Sequence, residues 1–168
     1  MAIGTFPMGS GVEYQIAEIL LANGWTITTA ESCTAGLIAG TLVNADGISA
    51  SFKEGFITYS NEAKMKYLGV SEQTLDAYGA VSRQTAKEMA EGAARTAGTD
   101  FAVAVTGVAG PGGGSPEKPV GLVYIACSFR GETVIKRCMF DGNRSQVRHA
   151  TVMQALDLLY CQLLHYSR

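Results

Sequence analysis

The sequence predicts an α/β fold: one domain of three layers, an α/β/α sandwich, with helices on both faces of a mixed, mostly parallel sheet. Three observations carry this. Apolar residues recur at helical spacing in several windows. Between those windows lie β-branched or continuous apolar runs of strand length. Helices and strands alternate early in the chain, and a hairpin comes late.

The elements follow in order. "MAIGTFPMGS", residues 1–10, has no basic or apolar signal region and reads as a frayed leader, leaving 11–166 as the domain. Val12, Ile16, Ile19 and Leu20 form one helical face, closed by Asn23-Gly24. Residues 25–30 read as a strand, and "TAGLIAGTLVN" as a helix starting near Cys33. "SFKEGFITYS" alternates and is aromatic-rich, which predicts a second strand. Ser60 is placed to cap "NEAKMKYL", and Gly69 to end it. Ser71 caps a short helix through Tyr78. Ser82 caps another, whose stripe is Ala86, Met89, Ala90, Ala93, Ala94 and Ala97. "FAVAVTG" suits a central strand buried on both faces. "GPGGGSPEKP" is a loop. "VGLVYIACSF" and "TVIKRCMF" form a hairpin through Arg130-Gly131. A final helix runs from about Asn143 to Tyr166.

Composition narrows the function classes. Of 168 residues, 47% are hydrophobic and 17% charged, as in folded domains rather than disordered chains. A net charge of −2 does not suit a nucleic-acid partner. No apolar run reaches the roughly 18 to 20 residues of a membrane span. Cys33, Cys127, Cys138 and Cys161 form no C-x-x-C pair, and only two histidines accompany them. Reduced thiols in a cytoplasmic protein are therefore expected, with no structural zinc.

In an α/β sheet, ligands gather at the carboxyl ends of strands. Ser32 stands where the first strand becomes a helix. It is either an N-cap or a nucleophile beside unpaired helix amides able to hold an oxyanion. A serine needs a base. His149 and His165 lie on the last helix, away from the expected strand ends. Lysine can serve when burial lowers its pKa. Lys64, near the start of its helix, is the candidate, unless it is a solvated surface residue. Tyr59 either adds its hydroxyl to the site or packs in the core. The glycine loop after "FAVAVTG" suits close approach to an anion or is a plain connection. Arg144 and Arg148, four apart, either grip a phosphate or face solvent. A neighbouring carboxylate, Glu31, either holds Lys64 charged or orients a hydroxyl of a ligand.

Five blocks together carry a resemblance. "TTAESCTAGLIAGTL", "FITYSNEAKMKYLGV", "YGAVS", "VTGVAGPGGGSPEKPVGLVYIA" and "DGNRSQVRHAT" resemble the C-terminal domain of competence/damage-inducible protein CinA, the nicotinamide-nucleotide amidase family, from about residue 11 to 164. The resemblance implies hydrolysis of the carboxamide of nicotinamide mononucleotide to nicotinic acid mononucleotide and ammonia, in pyridine-nucleotide recycling. It implies no metal and no cofactor, a small-molecule nucleotide as substrate, and a homo-oligomer, dimer or trimer. The chain resembles the stand-alone form, without the molybdopterin-binding-like domain that many members carry. Carried over, Ser32 is the nucleophile and Lys64 its base, assisted by Tyr59. Glu31, Cys33, Thr34, Thr106, Gly107, Ala109 and Gly110 would shape the substrate pocket, and Arg144 or Arg148 would contact the phosphate. Where the commonest form has C-T-G-G, this chain has Cys33-Thr34-Ala35-Gly36. Alanine there is harmless unless the position needs positive φ. Two rivals stand beside this reading: Cys33 as nucleophile, and a nucleotide-binding module without turnover.

Overall fold

A computed structural model describes residues 11–167; the expected leader lies outside them. The first helix, α1, spans Val12–Asn23 and leads into strand β1, Ile27–Glu31. Then come α2 (Leu37–Leu42), a 3-10 turn at Ile48–Ala50, β2 (Phe52–Ile57), α3 (Asn61–Leu68), α4 (Glu72–Tyr78) and α5 (Arg83–Ala97). The chain continues through β3 (Phe101–Gly107), β4 (Leu122–Phe129), β5 (Glu132–Met139) and α6 (Arg144–Tyr166).

The sheet order is β2-β1-β3-β4-β5. β2, β1 and β3 pair in parallel, and β4 runs antiparallel to both its neighbours. Four strands therefore point one way and β4 alone opposes them, which is the mixed, mostly parallel sheet expected. Strand alternation sorts the core into two. Phe101, Val103 and Val105 meet α1, α2 and α6 on one face. Ala102, Ala104 and Ala30 meet Ala86, Met89, Ala90 and Ala93 of α5 on the other. Small side chains on both sides let α5 lie close to the sheet. Gly92 does the same for α3, because a Cβ there would sit 1.8 Å from the Leu68 carbonyl oxygen. Large apolar side chains fill the first face, and the second is close-packed by alanine.

Local chemistry sets most helix starts. The hydroxyls of Ser60, Ser71 and Ser82 accept from the amides of Ala63, Thr74 and Thr85. Asn143 and Gln146 form a reciprocal capping box at the start of α6. Both α1 and α2 start at a glycine without a side-chain cap, and α2 begins at Leu37 rather than near Cys33. Ser32 is therefore not an N-cap. Residues 32–36 form a separate turn instead. No described helix is long and apolar enough to cross a membrane.

Candidate active site

β1, β2 and β3 are parallel, so their carboxyl ends share one edge of the sheet. Ser32 follows β1, Tyr59 follows β2, and Thr106 and Gly107 close β3. β5 points the same way, so Arg144 at the head of α6 arrives at that edge too. A pocket of about 200 Å³ lies there, lined by Ser32, Cys33, Tyr59, Lys64, Ala80, Val81, Thr106, Gly107, Ala109 and Arg144.

Lys64 is the unusual residue. It sits in the first turns of α3, whose Ser60 cap turns it back under the strand ends, and it is 1% exposed. Its Nζ donates to the Thr58 carbonyl at 2.7 Å and lies 3.1 Å from Ser32 Oγ. No carboxylate makes a salt bridge to it among the described residues. Burial pulls its pKa from 10.5 down to about 8, with a smaller opposing pull from Cys33. A neutral amine can keep one N–H on Thr58 and turn its lone pair to the Ser32 hydroxyl.

Cys33 lines the pocket but belongs to the core. Burial pushes its thiol up to about 11, and the Glu31 carboxylate adds to that rise. Little thiolate exists there near neutral pH.

Glu31, Thr34, Gly110 and Arg148, four of the residues expected at the substrate, do not line the pocket. Glu31 is 1% exposed and does not line the pocket. It makes no salt bridge to Lys64 among the described residues. It accepts from the Thr34 hydroxyl at 2.6 Å, the Gly36 and Ile38 amides at 3.0 Å and the Ala39 amide at 2.9 Å. The helix amides expected to serve an oxyanion are thus already taken. Thr34 is fully buried and spends its hydroxyl on Glu31, so it also leaves the substrate wall. Arg148 donates through Nε to the Cys33 carbonyl at 3.0 Å and through a terminal nitrogen to that of Thr34 at 3.1 Å. It braces the turn and does not line the pocket.

Arg144 is the arginine on the pocket. Its guanidinium donates to the Gly110 carbonyl and to the Tyr59 hydroxyl, both at 2.8 Å. Tyr59 makes no hydrogen bond to Ser32 or Lys64 among the described residues; its recorded partner is Arg144. It lines the pocket beside Ser32 and Lys64, held by Arg144. Gly110 contributes a carbonyl to Arg144 rather than a wall. The Thr106 hydroxyl donates to the Ala80 carbonyl at 2.7 Å, which draws the α4–α5 connection over the pocket. Ala80 and Val81 were not singled out from the sequence. They are apolar loop residues placed by that long-range bond, although they fall inside the "YGAVS" block. His149 and His165 are exposed on α6 and line no part of the pocket. No group of three His, Cys, Asp or Glu is placed to hold a metal among the described residues.

The comparisons with known proteins agree with this layout. The family model for the CinA C-terminal domain matches residues 10–163. The chain belongs to the CinA C-terminal domain family. A putative competence-damage inducible protein of Clostridium novyi (strain NT) is 53% identical over 153 residues, covering 91% of this chain and 37% of that protein. A CinA-like protein of Kosmotoga olearia is 48% identical, covering 96% of this chain and 40% of its own length. The chain thus spans about two-fifths of the curated relatives it matches. Among solved structures, the competence/damage inducible protein CihA of Agrobacterium tumefaciens superposes with a TM-score of 0.84 at 46% identity, covering 93% of this chain and 98% of that one. Competence damage-inducible protein A of Klebsiella pneumoniae gives 0.89 at 41% identity, covering 92% and 96%. The CinA superfamily fold is therefore that of this chain.

Proposed function

We propose that this CinA-family domain hydrolyses a carboxamide through an acyl-enzyme on Ser32, with Lys64 as the general base. One observation carries the reading: a buried lysine, without a carboxylate partner among the described residues and with its pKa lowered to about 8, sits 3.1 Å from a serine hydroxyl at the mouth of a pocket. Neutral Lys64 takes the Ser32 proton as Oγ bonds to the amide carbon. The carbon–nitrogen bond breaks, and the proton returned by Lys64 leaves with ammonia. Water then adds to the ester, giving its proton to Lys64 and releasing the carboxylic acid and free Ser32. The α2 amides are held by Glu31 and Thr34 lies off the pocket wall, so the oxyanion falls to the Cys33 amide, which donates to no other residue among those described. Oxyanion donors of this kind carry much of the rate in acyl transfer.

The substrate follows from the family resemblance: nicotinamide mononucleotide, deamidated to the nicotinic acid form. The pocket, about 200 Å³, suits a pyridine carboxamide rather than a whole nucleotide. Arg144, exposed at the rim, is the group we assign to the phosphate. Remote binding energy of that kind positions the reacting amide. The purified protein releases ammonia from nicotinamide mononucleotide on this reading, and bare nicotinamide is a far poorer substrate. Equal kcat/KM for the two removes the phosphate anchor. No ammonia from either leaves a nucleotide-binding module, the reading that the same glycine loop and arginine would serve.

A further inference from the structure

We infer that Glu31 is a positioning residue for the nucleophile: its buried side chain, working with Arg148, fixes the 32–36 turn so that Ser32 meets Lys64. The inference rests on the reading of Ser32 as the attacking group.

Strand alternation supplies the direction. Ile27 faces the α1/α2/α6 core, so Glu31, four residues on, points to the same side. Ala30 faces the opposite core, and Ser32 continues to that side, where α3 presents Lys64. Neighbouring residues thus reach opposite faces, and an anchor on one sets the position of the other. The anchoring is heavy for the element it caps. α2 is six residues long, too short to hold itself together. Yet it and the preceding turn receive a buried carboxylate with four donors drawn from residues 34 to 39. Arg148 completes the clamp through the Cys33 and Thr34 carbonyls. Glu31 holds the turn by its N–H groups and Arg148 by its carbonyls. The turn also holds Ala35 at φ 51°, a conformation a non-glycine residue must have imposed on it. A Cβ on Gly36 would stand 3.1 Å from Ile57 Cδ1, so little slack remains on the β2 side.

The test follows Ser32 itself, with a serine-directed fluorophosphonate probe, beside turnover of nicotinamide mononucleotide. Glu31→Gln keeps the size of the side chain but puts an amide nitrogen among donors. Its labelling rate is expected to fall about a hundredfold, the scale of a displaced reacting group. Turnover falls through kcat with little change in KM. Thr34→Val removes one donor to Glu31 without changing the shape, and is expected to show the same loss in smaller degree. It covers the case in which Glu31→Gln does not fold. The pH profile separates positioning from mere destabilisation. Wild-type labelling rises through the Lys64 titration near pH 8. A turn that has let Ser32 drift loses that inflection, whereas partial unfolding lowers the amplitude and leaves the inflection in place. Wild-type-like labelling with an intact inflection in folded Glu31→Gln or Thr34→Val overturns the positioning role while leaving the nucleophile standing. A wild-type protein that resists the probe sinks the serine reading and this inference with it.

Discussion

The two ends of the central parallel strands make opposite use of charge. At the amino end, Asp100 accepts from the Thr26 amide and hydroxyl at 3.0 and 3.1 Å and pairs with Arg130 at 3.1 Å. Burial would raise the Asp100 pKa, but hydrogen bonds from Thr26 and the Arg130 contact outweigh it and hold the acid below its usual range. Acid and cation satisfy each other there. At the carboxyl end, the acid Glu31 spends its oxygens on backbone and threonine, and Lys64 is buried without an acid among the described residues. A buried cation without a counter-charge gives up its proton easily. The same sheet thus carries a charge pair used as a staple at one end and, at the other, the lysine proposed as the base. Perturbed groups of the second kind mark functional sites.

That contrast can be attacked at several points. Ser32→Ala removes the proposed nucleophile, and turnover should fall by on the order of 10⁴-fold or more. A steady-state ammonia assay settles it, and loss from Cys33→Ala instead would move the nucleophile. Lys64→Met should lose about 10²- to 10⁴-fold in kcat, the worth of a general base.

The same variant tests the electrostatics with the opposite sign. Between pH 8 and 10.5 the unfolded chain binds the Lys64 proton and the folded one does not. Stability from this group therefore rises with pH across that window and is lowest below it. Lys64→Met should melt higher than wild type at pH 7, with the gap closing towards pH 10.5. A lower Tm at pH 7 would mean that the Thr58 and Ser32 contacts outweigh the cost of burial. Wild-type kcat should likewise climb to a plateau above pH 8.

Arg144→Ala, at the rim, should raise KM for the mononucleotide about tenfold or more and leave turnover of the bare base alone. Arg130→Ala, at the amino end, should cost only about 1 kcal/mol of stability in a denaturation curve, because the Arg130 side chain is largely exposed, and leave activity unchanged. Reversed results for these two arginines would erase the distinction between the ends.

What the sequence told in advance follows the range of the forces. Ser60, Ser71 and Ser82 cap helices through residues three positions on, so their roles are local and readable. The all-apolar β3 was equally plain. The turn after Ser32 was not, because half of its clamp is Arg148, more than a hundred residues away. Arg144 and Arg148 share a face by spacing, yet successive turns of α6 meet different loops. One reaches Gly110 and Tyr59, the other Cys33 and Thr34. Spacing alone could not divide their labour.

Ala35 has a consequence at the level of the gene. Its φ of 51° is the one expected worry about this position made real, and an alanine there costs roughly 1–2 kcal/mol over glycine. Every alanine codon becomes a glycine codon by one base change. Relief of that strain is thus among the shortest mutational steps open to the chain. Ala35→Gly should raise Tm, and any accompanying loss of kcat would measure how much the turn gains from being held taut.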